Sequence, residues 1–171
     1  MKQLINEMAL TFKAISVNES FARACIAAFC IQADPSLDEI TDIKTAVSEA
    51  VTNCVVHAYP KKNGEIKILV HLYEDSVSIW ISDKGIGIEN IEKAREPFYT
   101  TKPDQERSGM GFTVMESFMD LMDVFKNEDK GITVKLEKKF KTKKFAVGGV
   151  NAWTQSNFRF DKKSTERRWK C

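Results

Sequence analysis

Long apolar runs are missing from this chain. None of its 171 residues lies in a stretch of the roughly eighteen apolar residues that a membrane span needs, so no span is expected. The opening MKQLINEMALTFKAIS has no apolar core and no small-residue cleavage site, so a secretory leader is not expected either. Cysteine is sparse: Cys25, Cys30, Cys54 and Cys171 form no CxxC pair, and only His57 and His71 could join them at a metal. Three of these thiols fall inside apolar helical patterns, where sulfur packs as a small hydrophobe. Free thiols suit a reducing compartment, and the cytoplasm is the expected location. GxxxxGK[ST], HRD and DFG are all absent, which excludes the Walker phosphate loop and the eukaryotic-type protein kinase machinery.

What is present is a body and a tail of opposite charge. The net charge of +2 is small. Residues 138–171 hold 11 basic and 2 acidic side chains, whereas residues 1–137 hold 15 basic and 22 acidic ones. An acidic body argues against direct nucleic-acid binding. Residues 1–140 read as one domain with enough apolar content (43% of the chain) for a core. Residues 141–171 carry basic runs and aromatics without a period, and read as a disordered or non-native tail. A basic arm for single-stranded nucleic acid is the other reading.

Periodicity supplies the elements. Met8, Leu10 and Phe12 alternate in a short strand over 7–14. Asn18 is placed to cap a helix with Phe21, Cys25, Ile26 and Phe29 on its apolar side, and Asp34-Pro35 breaks it. Ser36 and Glu39 form a capping box. It opens a helix carrying Ile40, Ile43, Val47, Val51 and Cys54. Ile66 to Leu72 and Val77 to Ile81 alternate as two strands of a hairpin. Residues 91–95 suit one helical turn. Residues 96–111 follow neither period, the mark of a functional loop. A helix over 112–121 with Val114, Phe118 and Leu121 on one side follows. Strands over 123–126 and 132–137 close the domain. The order predicts an α+β fold, a two-layer α/β sandwich with a mixed, mainly antiparallel sheet and helices on one face.

Three polar clusters interrupt these patterns. In Ser48–Asn53, Glu49 and Asn53 are one helical turn apart, and His57 extends their stripe. A carboxamide oxygen can ligate Mg²⁺, and a carboxylate can take a proton from a nucleophile. Asp83-Lys84-Gly85-Ile86-Gly87 follows an apolar strand. Asp83 offers an acceptor for an exocyclic amine, and Gly85 and Gly87 permit close approach or positive φ. Thr100-Thr101-Lys102 and Arg107-Ser108-Gly109-Met110-Gly111 lead into a helix, where free amides and countercharge suit an anion. Taken singly, each is also an ordinary solvated face, turn or loop.

The set SEAVTN, DKGIGI and FYTTKPDQERSGMGF resembles the N, G1 and G2 boxes of the Bergerat-fold (GHKL) ATPases, which include histidine kinases. Through NESFAR, ITDIKTAVSEAVTN, EPFYTTKP and RSGMGFTVMESFMD the chain is most similar to the small anti-sigma-factor serine kinases of spore-forming bacteria, over residues 5–139. The resemblance implies a Bergerat fold and binding of ATP or ADP with Mg²⁺. It implies Glu49 as catalytic base, Asn53 as Mg²⁺ ligand, and Asp83 on the adenine amine beside Gly85 and Gly87. Thr133 would support the adenine through water. Thr100, Thr101, Lys102, Arg107, Gly109 and Gly111 would form a lid around the phosphates. Arg23, with Glu19 beside it, would contact protein partners: a sigma factor of the sigma F type and a competing STAS-domain anti-anti-sigma factor, which the kinase phosphorylates on serine. A homodimer is implied, with ATP favouring the sigma complex and ADP the displacer complex. Ala58 stands where relatives often carry glycine, and Lys84 where they carry an acid or amide. The ATP-binding half of a sensor histidine kinase and a nucleotide-dependent binding module without transfer are the alternatives; neither histidine stands in a phosphoacceptor context.

Overall fold

The computed structural model describes residues 3–59, 64–98, 109–128 and 130–141. The chain runs through β1 (Leu4–Lys13), α1 (Val17–Cys30), a 3₁₀ turn (Ile31–Ala33), α2 (Leu37–Asn53) and a π-helical turn (Cys54–Ala58). It continues through β2 (Glu65–Tyr73), β3 (Ser76–Asp83), α3 (Ile91–Arg95), α4 (Gly111–Phe118), β4 (Leu121–Lys126) and β5 (Ile132–Lys139). The strands form one sheet in the order β1-β2-β3-β5-β4. All four described pairings are antiparallel, so the expected mixed sheet has no parallel member among the described residues.

Period two decides the layers. Ile66, Ile68, Val70 and Leu72 are buried on β2, and Val77, Ile79 and Ile81 on β3. Val134 pairs with Ile81 and Leu136 with Ile79, so the buried residues of β5 share their face. That face meets Ala22, Ile26 and Cys30 of α1, Ile43, Val47 and Val51 of α2, and Met115 of α4 in one apolar cluster. The intervening residues form the outer face, where His71 packs edge-on to Trp80 at 4.8 Å and Lys135 lies over the same indole.

Two helices differ from their expected stripes. α1 starts at Val17 with Ser16 at its cap, and Asn18 Nδ2 instead donates to the Lys13 carbonyl. Its buried side is Ala22, Ile26, Ala27 and Cys30, while Phe21 is half exposed and meets Phe12 edge to face. Alanines on the inner side let α1 lie close to α2, which leaves the bulky rings at the rim. α4 ends at Phe118, and its buried side chain is Met115, followed by Met119. Val114, Phe118 and Leu121 therefore do not form its inner stripe. The Asp120 amide donates to the Glu137 carbonyl and its carboxylate accepts from the Lys139 amide. These bonds pull the chain into β4 before a third turn can form.

The capping box at Ser36 and Glu39 is present as expected. Glu39 also accepts from the Lys141 amide at 2.7 Å, which ties the start of α2 to the end of β5. Burial raises the Glu39 pKa, but the Lys141 and Ser36 amides outweigh it and hold the carboxyl below its ordinary value. Lys138 Nζ bridges Asp42 and the Phe118 carbonyl, both at 2.7 Å, so α2, α4 and β5 share one charge contact. These ties set the far end of α2, with its polar cluster, over the open end of the sheet.

Candidate functional site

A cleft of about 1140 Å³ opens between the end of α2, the end of β3, α3 and the start of α4. Glu49, Asn53 and His57 line one wall; Asp83, Gly87 and Ile132 lie at the sheet end; Gly109 and Gly111 close the helix end. Residues of the first two clusters and Gly109–Gly111, the described end of the third, thus share one cavity.

The helix end is defined by Gly111. A methyl placed on it would lie 3.1 Å from Asn53 Nδ2, 3.2 Å from Asn53 Oδ1 and 3.2 Å from Glu49 Oε2. Carboxylate and carboxamide therefore converge on the N-terminus of α4. Met110 at the N-cap makes no side-chain capping bond, and the first amides and dipole of a helix attract an anion. No cluster of three or more His, Cys, Asp or Glu side chains suited to a metal occurs among the described residues. The oxygens of Asn53 and Glu49 still fit Mg²⁺, which is commonly held by one or two protein oxygens together with substrate phosphates.

At the sheet end, Asp83 is 2% exposed. Its Oδ1 accepts from the Gly85 amide at 2.8 Å, and its Oδ2 from the Cys54 thiol at 3.7 Å. Burial pushes its pKa up, against the Gly85 amide, the Cys54 thiol and the Ile132 amide. The loop after Asp83 docks on the π-helical turn through Ile86 N–H to the Ala58 carbonyl at 3.0 Å. Gly85 must be glycine there, because a methyl would lie 2.2 Å from Ala58 O. Gly87 takes φ +76°, the left-handed region that glycine favours.

Thr133 is not brought into the cleft. It pairs with Ser82 in register and its side chain faces the outer side of the sheet. Its hydroxyl shares a 2.8 Å bond with Ser82 Oγ and donates to Asn127 Oδ1 at 2.7 Å. Asn127 Nδ2 in turn donates to the Asp83 carbonyl. Thr133 thus braces the Asp83 turn from behind, and Ile132 occupies the cleft position. The alternation of Ile132, Val134 and Leu136 already contained this result, since neighbours on a strand face opposite ways. Arg23 and Glu19 lie on α1, away from the cleft lining, joined by a 3.2 Å ion pair. Thr100, Thr101, Lys102 and Arg107 lie outside the described residues. Sequence reasoning missed Cys54 as a partner of Asp83. It also missed Lys126, which lines the cleft and donates to the Glu89 carbonyl. Neither belongs to a motif; tertiary packing alone brings them in.

A family model described as the histidine kinase-like ATPase domain matches residues 13–138. The chain belongs to this family. Among curated relatives it is similar to the anti-sigma F factor of Clostridium perfringens, 54% identical over 138 residues, covering 80% of this chain and 99% of the relative. The anti-sigma F factor of Bacillus thuringiensis is 54% identical over 134 residues, covering 78% of this chain and 92% of the relative. A solved structure of the RsbU and RsbW domains of Rv1364c from Mycobacterium tuberculosis matches with TM-score 0.57 and 18% identity. It covers 79% of this chain and 32% of that longer one, and supports the fold. Membership in the histidine kinase-like ATPase family implies that this chain binds ATP and ADP. No described helix is long and apolar enough to cross a membrane.

Proposed function

We propose that this protein is an anti-sigma factor and protein serine kinase. It would bind a sigma factor of the sigma F type in an ATP-dependent manner and phosphorylate a STAS-domain anti-anti-sigma factor with Mg-ATP. Similarity to proteins named anti-sigma F factor supports the partner class. The observation that carries the chemistry is the meeting of Glu49 and Asn53 at Gly111, in the same cleft as Asp83.

Phosphoryl transfer needs alignment and charge neutralisation more than covalent help. Asp83 would accept the adenine amine at the sheet end. The α4 amides and Gly109 would receive the phosphates at the other end. Thr100, Thr101, Lys102 and Arg107 are proposed to complete that shell. Asn53 would hold Mg²⁺, which supplies positive charge to the phosphate oxygens. Glu49 would take the proton of the incoming serine hydroxyl. The serine oxygen then bonds to the γ-phosphorus while the bond to the β–γ bridging oxygen breaks, and ADP leaves. Arg23, oriented by Glu19, would present a guanidinium to the protein partners. A homodimer completes this reading. Residues 1–140 form its working domain, and the basic tail is outside it.

The test is incubation of the protein with Mg-ATP and a STAS-domain partner, followed by intact-mass measurement. One phosphate appears on a partner serine. In Glu49→Ala the rate falls about 10²–10⁴-fold, the scale of a lost general base, while ADP affinity is retained. Undiminished transfer by that variant would remove Glu49 from the base role. Absence of transfer by the unmodified protein would leave a nucleotide-dependent binding module.

A further inference from the structure

Cys54 is a buried thiol that the chemistry above does not use. It is 3% exposed, sits where α2 passes into the π-helical turn, and lines the nucleotide cleft. Its sulfur lies 3.7 Å from Asp83 Oδ2, within thiol hydrogen-bond reach. The two carboxylate oxygens are not equivalent. Oδ1 is engaged by the Gly85 amide at 2.8 Å. It is also hemmed in by Gly131, where a methyl would lie 2.8 Å from it. An ionised carboxylate offers about four acceptor directions. The Gly85 amide, the Ile132 amide and the Cys54 thiol account for three of them. Gly131 crowds Oδ1, so the remaining direction is assigned to Oδ2.

We propose that Cys54 is a positioning residue for base recognition: its S–H fixes the Asp83 carboxylate so that Oδ2 meets the exocyclic amine of adenine. This rests on the reading of Asp83 as the base acceptor. The thiol is suited to the task because its sulfur lies within reach of Oδ2 while the Gly85 amide holds Oδ1. A cysteine filling space would need no such alignment.

The experiment compares the affinities of ADP and inosine diphosphate, which presents a carbonyl where adenine presents an amine. Calorimetry is run on the unmodified protein, Cys54→Ala, Cys54→Ser and Asp83→Asn. Alanine and serine are nearly equal in size and differ in the donor. Cys54→Ala reduces the ADP-over-inosine-diphosphate preference about three- to tenfold, the range of a weak bond to a charged acceptor. Cys54→Ser retains most of it. In the infrared, the ADP-minus-free difference spectrum of the unmodified protein contains an S–H stretching change that Cys54→Ser lacks. Equal loss of both nucleotides in the alanine and serine variants would make Cys54 a space filler and overturn the assignment. If Cys54→Ala does not fold, the infrared difference decides: no S–H change on ADP binding overturns it. Loss of the preference in Asp83→Asn with full preference in Cys54→Ala defeats the role of Cys54 alone. An unchanged preference in Asp83→Asn defeats the reading of Asp83, and the role of Cys54 with it.

Discussion

Replacement of Gly111 by alanine separates stability from function. Gly111 is the first residue of α4, and its φ is not in the left-handed region, so the backbone accepts a side chain. Alanine is favoured over glycine in a helix interior by about 1 kcal/mol, and by less in the first turn. Against that gain, the new methyl lies 3.1–3.2 Å from the amide atoms of Asn53 and from Glu49 Oε2. Relief requires both side chains to swing by a few tenths of an ångström, at about 0.5–1.5 kcal/mol for a rotamer displaced by ~30°. The two terms nearly cancel. With roughly 2–4 °C per kcal/mol for a chain of this size, Tm stays within about 4 °C. The site does not recover in the same way. The methyl shifts by a few tenths of an ångström the oxygens proposed to hold Mg²⁺ and to receive the serine proton, where a full misplacement of about 1 Å can cost 10²-fold in rate. Mg-ADP affinity in calorimetry should fall about three- to tenfold, and the proposed serine transfer by intact mass about tenfold. Undiminished Mg-nucleotide affinity together with normal transfer would refute the convergence of Glu49 and Asn53 on α4.

Three further substitutions probe other parts of the argument. Gly131→Ala loses both properties, because φ +78° disfavours a side chain and a methyl would lie 2.2 Å from the Asp83 carbonyl; destabilisation of about 2–5 kcal/mol is expected in denaturant titration, with ADP binding lost alongside. Thr133→Val leaves ADP affinity within about threefold but lowers stability by about 1–2 kcal/mol through the lost bonds to Ser82 and Asn127; a collapse of ADP affinity would place Thr133 at the ligand after all. Glu39 has a lowered pKa, so its charged form stabilises the fold above the ordinary glutamate value, and that contribution is lost as pH falls through the lower folded value. Glu39→Gln should therefore be less stable at neutral pH and show a flatter acid limb, and parallel unfolding curves across that window would contradict the assignment.

The strands were legible because a half-buried sheet imposes period two: Ile66–Leu72 follows it throughout, and Val77, Ile79 and Ile81 alternate apolar with polar or larger neighbours although Ser78 is buried too. The start of α2 was legible because a capping box is a local pattern. Helix faces were less so. Apolar residues surround much of α1 and α4, and the choice of inner side rests on packing partners that the local sequence does not contain. Phe21 is the larger hydrophobe, yet Ala22 is the one buried, because α2 occupies the space against that side.

The same division holds at the cleft. The polar clusters were visible as interruptions in apolar patterns, and their combination pointed to nucleotide chemistry before any distance was known. Glu49 and Asn53 share a face by helical pitch alone. That Gly111 lies against them, that Ile132 rather than Thr133 enters the cleft, and that Cys54 reaches Asp83 across 29 positions are results of three-dimensional assembly. Local periodicity acts over a few residues and is written in the chain. Contacts between α2, β3 and α4 depend on how the whole core packs, so they exist only once the sheet and its helices have come together.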